Sequence, residues 1–427
     1  MHNFSDYPRR LLITTSLTFS FLGLTTVSAC NFSKSHSDIK DAAQTPVEVL
    51  VSSHLIASLD KAMLTQKLNG SGITALNGVR IYQVSYNTLS FDHTPIRASG
   101  IVLIPDSGAS SYPWISLQHA TLTKKADAPS MNPREGLADS SQGFVTVVAD
   151  YLGYGDSAQI YHPYILENGY SAPGIDILRA ARELTETQNI NLTTLFLKGY
   201  SEGGYATASL QKALESLGTN EFSIRASSAS AGPLDVEKTG VLVVQAASID
   251  PANIPFLILA YDHWLTGDSM PLSSIFVPSI EAVTHALDGR YTSTEIAQQL
   301  PTTTRVLFKE SFVNDFISAT PILPEAVQLH QLLKSQSLLT NWAPKSPTRI
   351  YHCIDDEEVP VAVTIEATAI YKAAGAPVES VLIPSPDPSK PYTHGTCPAI
   401  FAPLAWFRQI LAQDQALAMS KTSAKTP

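Results

Sequence analysis

Apolar and polar residues follow two periods along the chain, and these periods predict strands and helices that alternate. Short apolar or alternating runs, typical of strands, are GVRIYQVSYNTLS, IRASGIVLIPD, YPWISLQHA, GFVTVVADYLGYG, TLFLKG, FSIRASSASAG, TRIYHCIDD and VESVLIPSPD. Helical spacing is found in SAPGIDILRAARELTETQ, GYATASLQKALESLG, AVTIEATAIYKAAG and CPAIFAPLAWFRQILA. Strands that alternate with helices predict an α/β fold, in which helices cover both faces of a mostly parallel sheet.

Residues 236–345 break this alternation, because they read as several helices with little strand character. We interpret them as a helical cap inserted over the carboxyl edge of the sheet, where the active sites of such sheets lie. The core then has a first part over 46–235 and a second part over 346–412. Residues 413–427 are predicted to form a loose polar tail.

The first residues have the character of a targeting segment. Two arginines precede an apolar stretch that ends in the small residues of VSAC, so we predict a signal peptide over 1–29 and a polar tether over 30–45. VSAC resembles the lipobox of bacterial lipoproteins, in which the cysteine, here Cys30, is lipidated. The alternative is ordinary cleavage after Ala29. The expected location is the bacterial cell envelope, with a lipid anchor, or the exterior as a secreted protein.

Charge and hydropathy narrow the range of partners. The chain has 427 residues and a formal net charge of −10, and no cluster of Lys and Arg follows the leader, which argues against nucleic acid as a partner. No run after the leader is long and apolar enough to cross a bilayer. We therefore expect membrane anchoring only through Cys30.

The stretch KGYSEGGYA joins a predicted strand to a predicted helix. Gly199 and Gly203 flank Ser201 in the G-x-S-x-G spacing of a nucleophile elbow, a tight turn at which bulky neighbours would collide. The backbone N–H of Glu202, at the helix start, is then a predicted oxyanion donor. The alternative is a glycine-rich turn with a solvated serine.

A serine nucleophile needs a histidine base and an acid that orients it, and in this arrangement both follow the serine in the chain. The strand TRIYHCI ends in four acidic residues, at 355–358, where the orienting carboxylate is expected. Only one histidine, His394, follows this turn. The alternatives are a solvated acidic turn and a structural histidine.

A second oxyanion donor is expected in the loop after the strand YPWISLQ. Thr121 N–H is the first choice there and Ala120 N–H the second, whereas His119 is expected to shape the loop.

The chain has three cysteines. If Cys30 carries lipid, Cys353 and Cys397 remain for an exported, oxidising compartment. A bridge between them would join the acid loop to the base loop; the alternative is two free buried thiols.

Together these motifs resemble those of α/β-hydrolase esterases and lipases of the secreted-lipase type. The matching pieces lie between residues 118 and 397 and read LQHAT, VVADYLGYGDS, IYHPYILENG, KGYSEGGYA, SAGPLDV, HCIDDEEVP and THGTC. Because of the VSAC sequence in its leader, the chain also resembles a bacterial lipoprotein relative of this group. The resemblance implies an α/β-hydrolase fold, hydrolysis of small-molecule or lipid esters through Ser201, and no metal or organic cofactor.

The resemblance also selects among the acidic residues. HCIDDEEVP is similar to the hydrolase pattern H-G-x-x-D-x-x-V-P, which makes Asp356, and not Asp355, the partner of His394. Cys353 stands where the pattern has glycine, which fits the predicted bridge. QHAT departs from the usual His-Gly pair and leaves the choice between Thr121 and Ala120 open.

Two other functions compete with ester hydrolysis. A peptidase of the prolyl-oligopeptidase kind shares the fold and the triad, but the chain has no blade-like repeats. A non-enzymatic envelope protein on a hydrolase scaffold would have no physical need for His394. The predicted cap is rich in apolar residues that suit an acyl chain, namely Phe256, Leu257, Leu259, Tyr261 and Trp264.

Overall fold

The computed structural model of the protein describes residues 48–218 and 221–423. The predicted signal peptide, the tether and Cys30 lie outside the described residues, as do residues 424–427.

A nine-stranded sheet forms the centre of the molecule. Its strands are β1 (Leu50–Leu59), β2 (Gly78–Leu89), β3 (Pro95–Asp106), β4 (Ser111–Gln118), β5 (Val145–Ala149), β6 (Asn191–Tyr200), β7 (Ile224–Ser230), β8 (Thr348–Cys353) and β9 (Val378–Ile383). Their spatial order is β1-β2-β3-β5-β4-β6-β7-β8-β9. Three pairs are antiparallel: β1 with β2, β2 with β3, and β3 with β5. The other neighbouring strands pair in parallel.

The burial of the strands follows their position in the sheet. All five residues of β5, VTVVA, are buried, as expected for a parallel strand that is covered on both faces. The edge strand β1 is half exposed along its length and pairs with β2 alone.

Helices occupy both faces of the sheet and a separate segment beyond β7. They are α1 (Lys61–Lys67), α2 (Leu137–Ser141), α3 (Asn168–Thr187), α4 (Glu202–Ser216), α5 (Val236–Gln245), α6 (Asn253–Tyr261), α7 (Leu272–Ile275), α8 (Ile280–Ala286), α9 (Ser293–Ile296), α10 (Thr304–Leu307), α11 (Glu310–Phe316), α12 (Pro324–Ser335), α13 (Val361–Ala373) and α14 (Pro403–Ser423). A π-helical turn, Asp262–Thr266, continues α6.

Two apolar clusters divide the core between the faces of the sheet. One joins the sheet to α3, α4 and α13 and extends into α5–α12. The other joins the opposite face to α1, α2 and α14, for example where Phe407 stacks on Phe196. The prediction of an α/β fold with helices on both faces is confirmed.

The inserted segment α5–α12 lies between β7 and β8 in the chain, within the range predicted for the cap. Apart from two isolated bridges it is helical, and its apolar residues belong to the same cluster as the sheet face that carries α4. Within the described ranges, no helix combines the length and the apolar character that a membrane crossing requires.

The structure differs from the sequence analysis at both ends of the core. The strand β1 and the helix α1 were not predicted, because β1 is half exposed and α1 is exposed except for Leu64, and such elements leave a weak hydrophobic pattern. The expectation of a loose tail from residue 413 is wrong up to Ser423, because α14 continues to that residue. An ion pair between Arg225 and Asp414 links this part of α14 to β7.

Candidate active site

Ser201 stands between β6 and α4, at the carboxyl edge of the sheet. Its backbone is in a strained conformation, with φ 59° and ψ −124°. A Cβ on Gly199 would lie 2.1 Å from the carbonyl oxygen of Gly203, and one on Gly203 would lie 2.2 Å from that of Gln118. Both positions therefore require glycine, as a nucleophile elbow does.

His394 reaches Ser201 from the loop between β9 and α14. Its Nε2 lies 2.8 Å from Oγ of Ser201, and its Nδ1 lies 2.8 and 2.9 Å from the two carboxylate oxygens of Asp356, just beyond β8. All three side chains are buried. The structure thus brings the predicted serine, histidine and acid into one hydrogen-bonded line.

The carboxylate of Asp356 is held by several donors. The backbone N–H groups of Glu358 and Val359 donate to it at 3.1 and 2.9 Å, and Nε2 of His352 lies 3.3 Å away. Burial by itself would raise the pKa of Asp356, but the hydrogen bonds from His352 and His394 outweigh it and lower the pKa well below its usual range. Asp356 is therefore ionised at neutral pH.

Asp355 points elsewhere, although it is the adjacent residue. Its carboxylate accepts a hydrogen bond from the hydroxyl of Ser385, and the residue is exposed. The geometry agrees with the choice of Asp356 that the sequence pattern implied.

The surroundings of His394 favour its protonated form. Burial lowers its pKa, but the hydrogen bond and the charge of Asp356, with Glu358 and Glu357 beyond it, outweigh burial and raise the pKa above 6.5. Both backbone polar groups of His394 are hydrogen-bonded to side chains. Its N–H donates to the Glu357 carboxylate at 2.9 Å, and its carbonyl oxygen accepts from the Tyr200 hydroxyl at 2.7 Å.

His352 is a member of this cluster that the sequence analysis did not single out. Its Nε2 lies 2.7 Å from the carbonyl oxygen of Val359 and its Nδ1 lies 2.7 Å from the hydroxyl of Thr364. It is fully buried and holds the turn that carries Asp356. The only signal in the sequence was its place as the first residue of HCIDDEEVP.

Glu202 begins α4, so its backbone N–H belongs to the first turn, where helical N–H groups lack partners within the helix. Its side chain is buried: one oxygen accepts from the Tyr170 hydroxyl at 3.0 Å and lies 2.9 Å from Nε2 of His162. Nδ1 of His162 lies 2.7 Å from the carbonyl oxygen of Leu152. Sequence reasoning missed His162 and Tyr170, which hold Glu202 in place.

The loop after β4 packs against the elbow. Gln118 pairs with Gly199 in the sheet, and the carbonyl oxygens of residues 118 and 119 lie where they leave no room for a Cβ on Gly203. His119 is buried, stacks on Tyr151 and lies with each ring nitrogen near a main-chain carbonyl oxygen, so it shapes the loop as expected. Thr121 bonds through its hydroxyl to Tyr164 at 3.0 Å. The assignment of the second oxyanion donor to Thr121 or Ala120 stays a prediction.

The predicted bridge between Cys353 and Cys397 is present, with a Cα–Cα distance of 6.0 Å. Cys353 ends β8 and Cys397 begins a short turn after His394. The bridge therefore joins the loops that carry Asp356 and His394.

One cleft is lined both by Ser201 and by side chains of the inserted helices α5, α6, α11 and α12. Apolar side chains form most of its wall, including Val236, Ile254, Leu257, Phe312, Phe316, Leu329 and Leu333. Ser201, Glu202, Glu358 and Val359 line the same cleft. Within the described ranges, no group of three or more His, Cys, Asp or Glu residues is placed to hold a metal ion.

The fold and this site define an α/β-hydrolase of the esterase and lipase type. Among solved structures, the chain is similar to the rice cell wall degrading esterase LipA from Xanthomonas oryzae, at 25% identity and a TM-score of 0.72, over 87% of this chain and 98% of the other. A mutant of the same esterase matches at 26% identity, over 87% and 99%, with a TM-score of 0.73.

Two further structures agree in fold at lower identity. A Legionella pneumophila protein assigned as a hydrolase has a TM-score of 0.74 at 23% identity, over 85% of this chain and 98% of the other. Candida antarctica lipase A in its closed state has a TM-score of 0.56 at 20% identity, over 82% and 78%. Neither a protein-family model nor a curated protein sequence matches the chain.

Proposed function

We propose that the protein hydrolyses carboxylic esters through an acyl-enzyme on Ser201. The observation that carries the proposal is the line of short contacts from Ser201 Oγ to His394 Nε2 and from His394 Nδ1 to Asp356, built on a strained elbow. This arrangement supplies a nucleophile, a base and an orienting acid in the geometry that acyl transfer requires.

In the proposed first step, His394 Nε2 takes the proton of Ser201 Oγ while Oγ bonds to the ester carbonyl carbon. The carbonyl oxygen becomes an oxyanion, for which we assign the N–H of Glu202 and that of Thr121, with Ala120 as the alternative. Collapse of this intermediate breaks the bond to the alcohol oxygen, which receives the proton from His394. Water then enters, loses a proton to His394 and attacks the acyl carbon. The bond between that carbon and Oγ breaks, Oγ takes the proton back from His394, and the acid and free Ser201 are released.

Asp356 acts through the histidine in this scheme. Its carboxylate accepts from Nδ1, which leaves Nε2 free to take the serine proton, and it stabilises the imidazolium that forms. Donors to Asp356 from the backbone and from His352 keep its carboxylate in that orientation.

The cleft wall supports a substrate with an apolar acyl part, either a small-molecule or a lipid ester. Four residues of α5 and α6 that line it, Val236, Val244, Leu257 and Ile258, are buried and apolar. The cavity in this cleft is small, with a volume of about 60 Å³. We therefore expect activity on p-nitrophenyl esters to depend on acyl length.

One experiment tests both the nucleophile and the reaction. A fluorophosphonate probe should label the wild-type protein at Ser201, and Ser201→Ala should abolish both labelling and ester hydrolysis. A chain-length series of p-nitrophenyl esters, run beside a proline-containing amide, separates an esterase from a peptidase. An adduct at another residue would overturn the assignment of Ser201, and faster cleavage of the amide would favour the peptidase.

For location, we propose a bacterial cell-envelope protein anchored through lipid on Cys30, with secretion after cleavage at Ala29 as the alternative. The support is the VSAC sequence and the polar stretch after it. Cys30→Ser should move the protein from the membrane fraction to the soluble fraction. Retention in the membrane fraction would place the anchor elsewhere.

A further inference from the structure

Glu358 is a carboxyl group in the reaction cleft that the scheme above leaves without a role. It lies two residues beyond Asp356 and lines the same cleft as Ser201. Its side chain is 26% exposed, and one oxygen accepts a hydrogen bond from the amide of Asn253 in α6 at 2.7 Å. The same oxygen lies 3.9 Å from Nε2 of His394.

The position of this oxygen relates it to the alcohol part of the substrate. In acyl transfer the alcohol oxygen receives its proton from Nε2 of the histidine, so it must come within hydrogen-bonding distance of that atom. Glu358 stands 3.9 Å from the same nitrogen. A substituent close to the alcohol oxygen therefore passes beside the carboxyl group.

The ionisable groups around Glu358 are mostly acidic. The other ionisable groups that act on it are Asp250, Glu357, Asp356 and His394. Asp250 accepts from the backbone of Ala252, and Asp356 is paired with the histidine. Among the described residues that line the cleft there is no Lys or Arg to neutralise Glu358.

We propose that Glu358 sets the charge specificity of the enzyme: it favours esters whose alcohol carries a cationic group and rejects esters whose alcohol carries an anionic group. The inference rests on the proposed ester hydrolysis and adds the substrate class to it. An apolar wall on one side and a carboxylate beside the leaving group suit an apolar acyl chain joined to a cationic alcohol.

The selectivity should depend on pH. Burial, which outweighs the charge of His394, raises the pKa of Glu358 to about 7, and Asp250, Glu357 and Asp356 act in the same direction. Glu358 is therefore mostly neutral at about pH 6 and mostly ionised at about pH 8, so discrimination should increase across this range. A ratio of two kcat/KM values at one pH cancels the titration of His394, because both substrates need the same base.

The test uses three esters of one short acid, with alcohols of similar shape and permanent charge. The alcohols are 2-(trimethylammonio)ethanol, its neutral isostere 3,3-dimethylbutanol and the anionic 2-sulfoethanol. The ratio of kcat/KM for the cationic to the anionic ester is measured in the wild type, in Glu358→Gln and in Asp355→Asn. Glu358→Gln keeps an acceptor for Asn253, and Asp355→Asn removes the same charge from an exposed site on the same turn.

We expect the ratio of kcat/KM for the cationic to the anionic ester to fall by roughly ten-fold or more in Glu358→Gln. A ten-fold change corresponds to an interaction of about one pKa unit between the Glu358 charge and the charged alcohols. In Asp355→Asn the ratio should stay unchanged. In the wild type the ratio should rise with pH. If the neutral ester is hydrolysed but the ratio is the same in Glu358→Gln, or flat with pH in the wild type, the charge inference is wrong and ester hydrolysis stands. An equal loss on all three esters would also overturn it. If the wild type hydrolyses none of them, both proposals fall.

Discussion

Replacing Asp356 by Asn is the sharpest test of the site, because an adjacent residue supplies a matched control. Asp356→Asn and Asp355→Asn change one carboxylate to an amide at neighbouring positions. Only the first carboxylate faces His394, at 2.8 Å; the second faces Ser385 on the surface. The two variants therefore differ in whether they touch the histidine.

The size of the effect follows from the buried contact. When His394 takes the serine proton it becomes a cation 2.8 Å from Asp356, and both side chains are almost fully buried. At an effective dielectric constant of about 20, this attraction is about 6 kcal/mol. It is present in the transition state and not in the resting enzyme, so it lowers the barrier. An amide also permits the wrong imidazole tautomer, and in well-studied triads this change costs on the order of 10⁴ in kcat, or about 5.4 kcal/mol.

The assay is kcat/KM for one short-chain p-nitrophenyl ester, with thermal unfolding of each variant as a check on folding. We expect Asp356→Asn to lose several orders of magnitude. Asp355→Asn should keep nearly normal activity and lie within about 0.5 kcal/mol of the wild type in stability. If Asp355→Asn were the crippled variant, the assignment of the acid would be off by one residue. If neither lost activity, Glu357 and Glu358 would be the next candidates.

Three further outcomes are expected. Gly203→Ala should abolish hydrolysis and lower the melting temperature, because its Cβ would lie 2.2 Å from the carbonyl oxygen of Gln118; normal activity would contradict the tight elbow. Replacing Cys353 and Cys397 together by Ser should lower the free energy of unfolding in urea by about 4 kcal/mol, since the bridge spans 44 residues, and an unchanged midpoint would refute this. The kcat/KM of a neutral ester should fall as the pH decreases, with a midpoint above 6.5, because His394 has a raised pKa and cannot act as a base once it is protonated. A midpoint below 6.5 would contradict the raised pKa.

Local patterns in the chain were sufficient to predict the strands β2–β9 and to single out Ser201. The apolar run of β6, the glycines around Ser201 and the helical spacing of α4 lie within one short stretch, so the elbow could be predicted from neighbours alone. His394 followed from chain order, because only one histidine comes after the acidic turn. Hydrophobic period reports which face of an element is buried, and that is why the α/β fold was predictable.

The choice among four consecutive acids could not be made from periodicity. The resemblance to a hydrolase motif pointed to Asp356, and the folded turn shows the physical basis: backbone N–H groups of residues 358 and 359 and two histidines converge on one carboxylate. Asp355, the residue before it in the chain, is exposed to solvent.

Contacts between residues that are far apart in the chain were decided only by the tertiary structure. Glu202 meets His162, 40 residues away, and Glu358 meets Asn253, 105 residues away. Half-exposed edges such as β1 also escaped the sequence analysis, because their pattern is weak until a neighbour pairs with them. A local pattern records the environment of one segment, whereas the partner of a buried polar group is set by how distant loops close over it, and that depends on the packing of the whole chain.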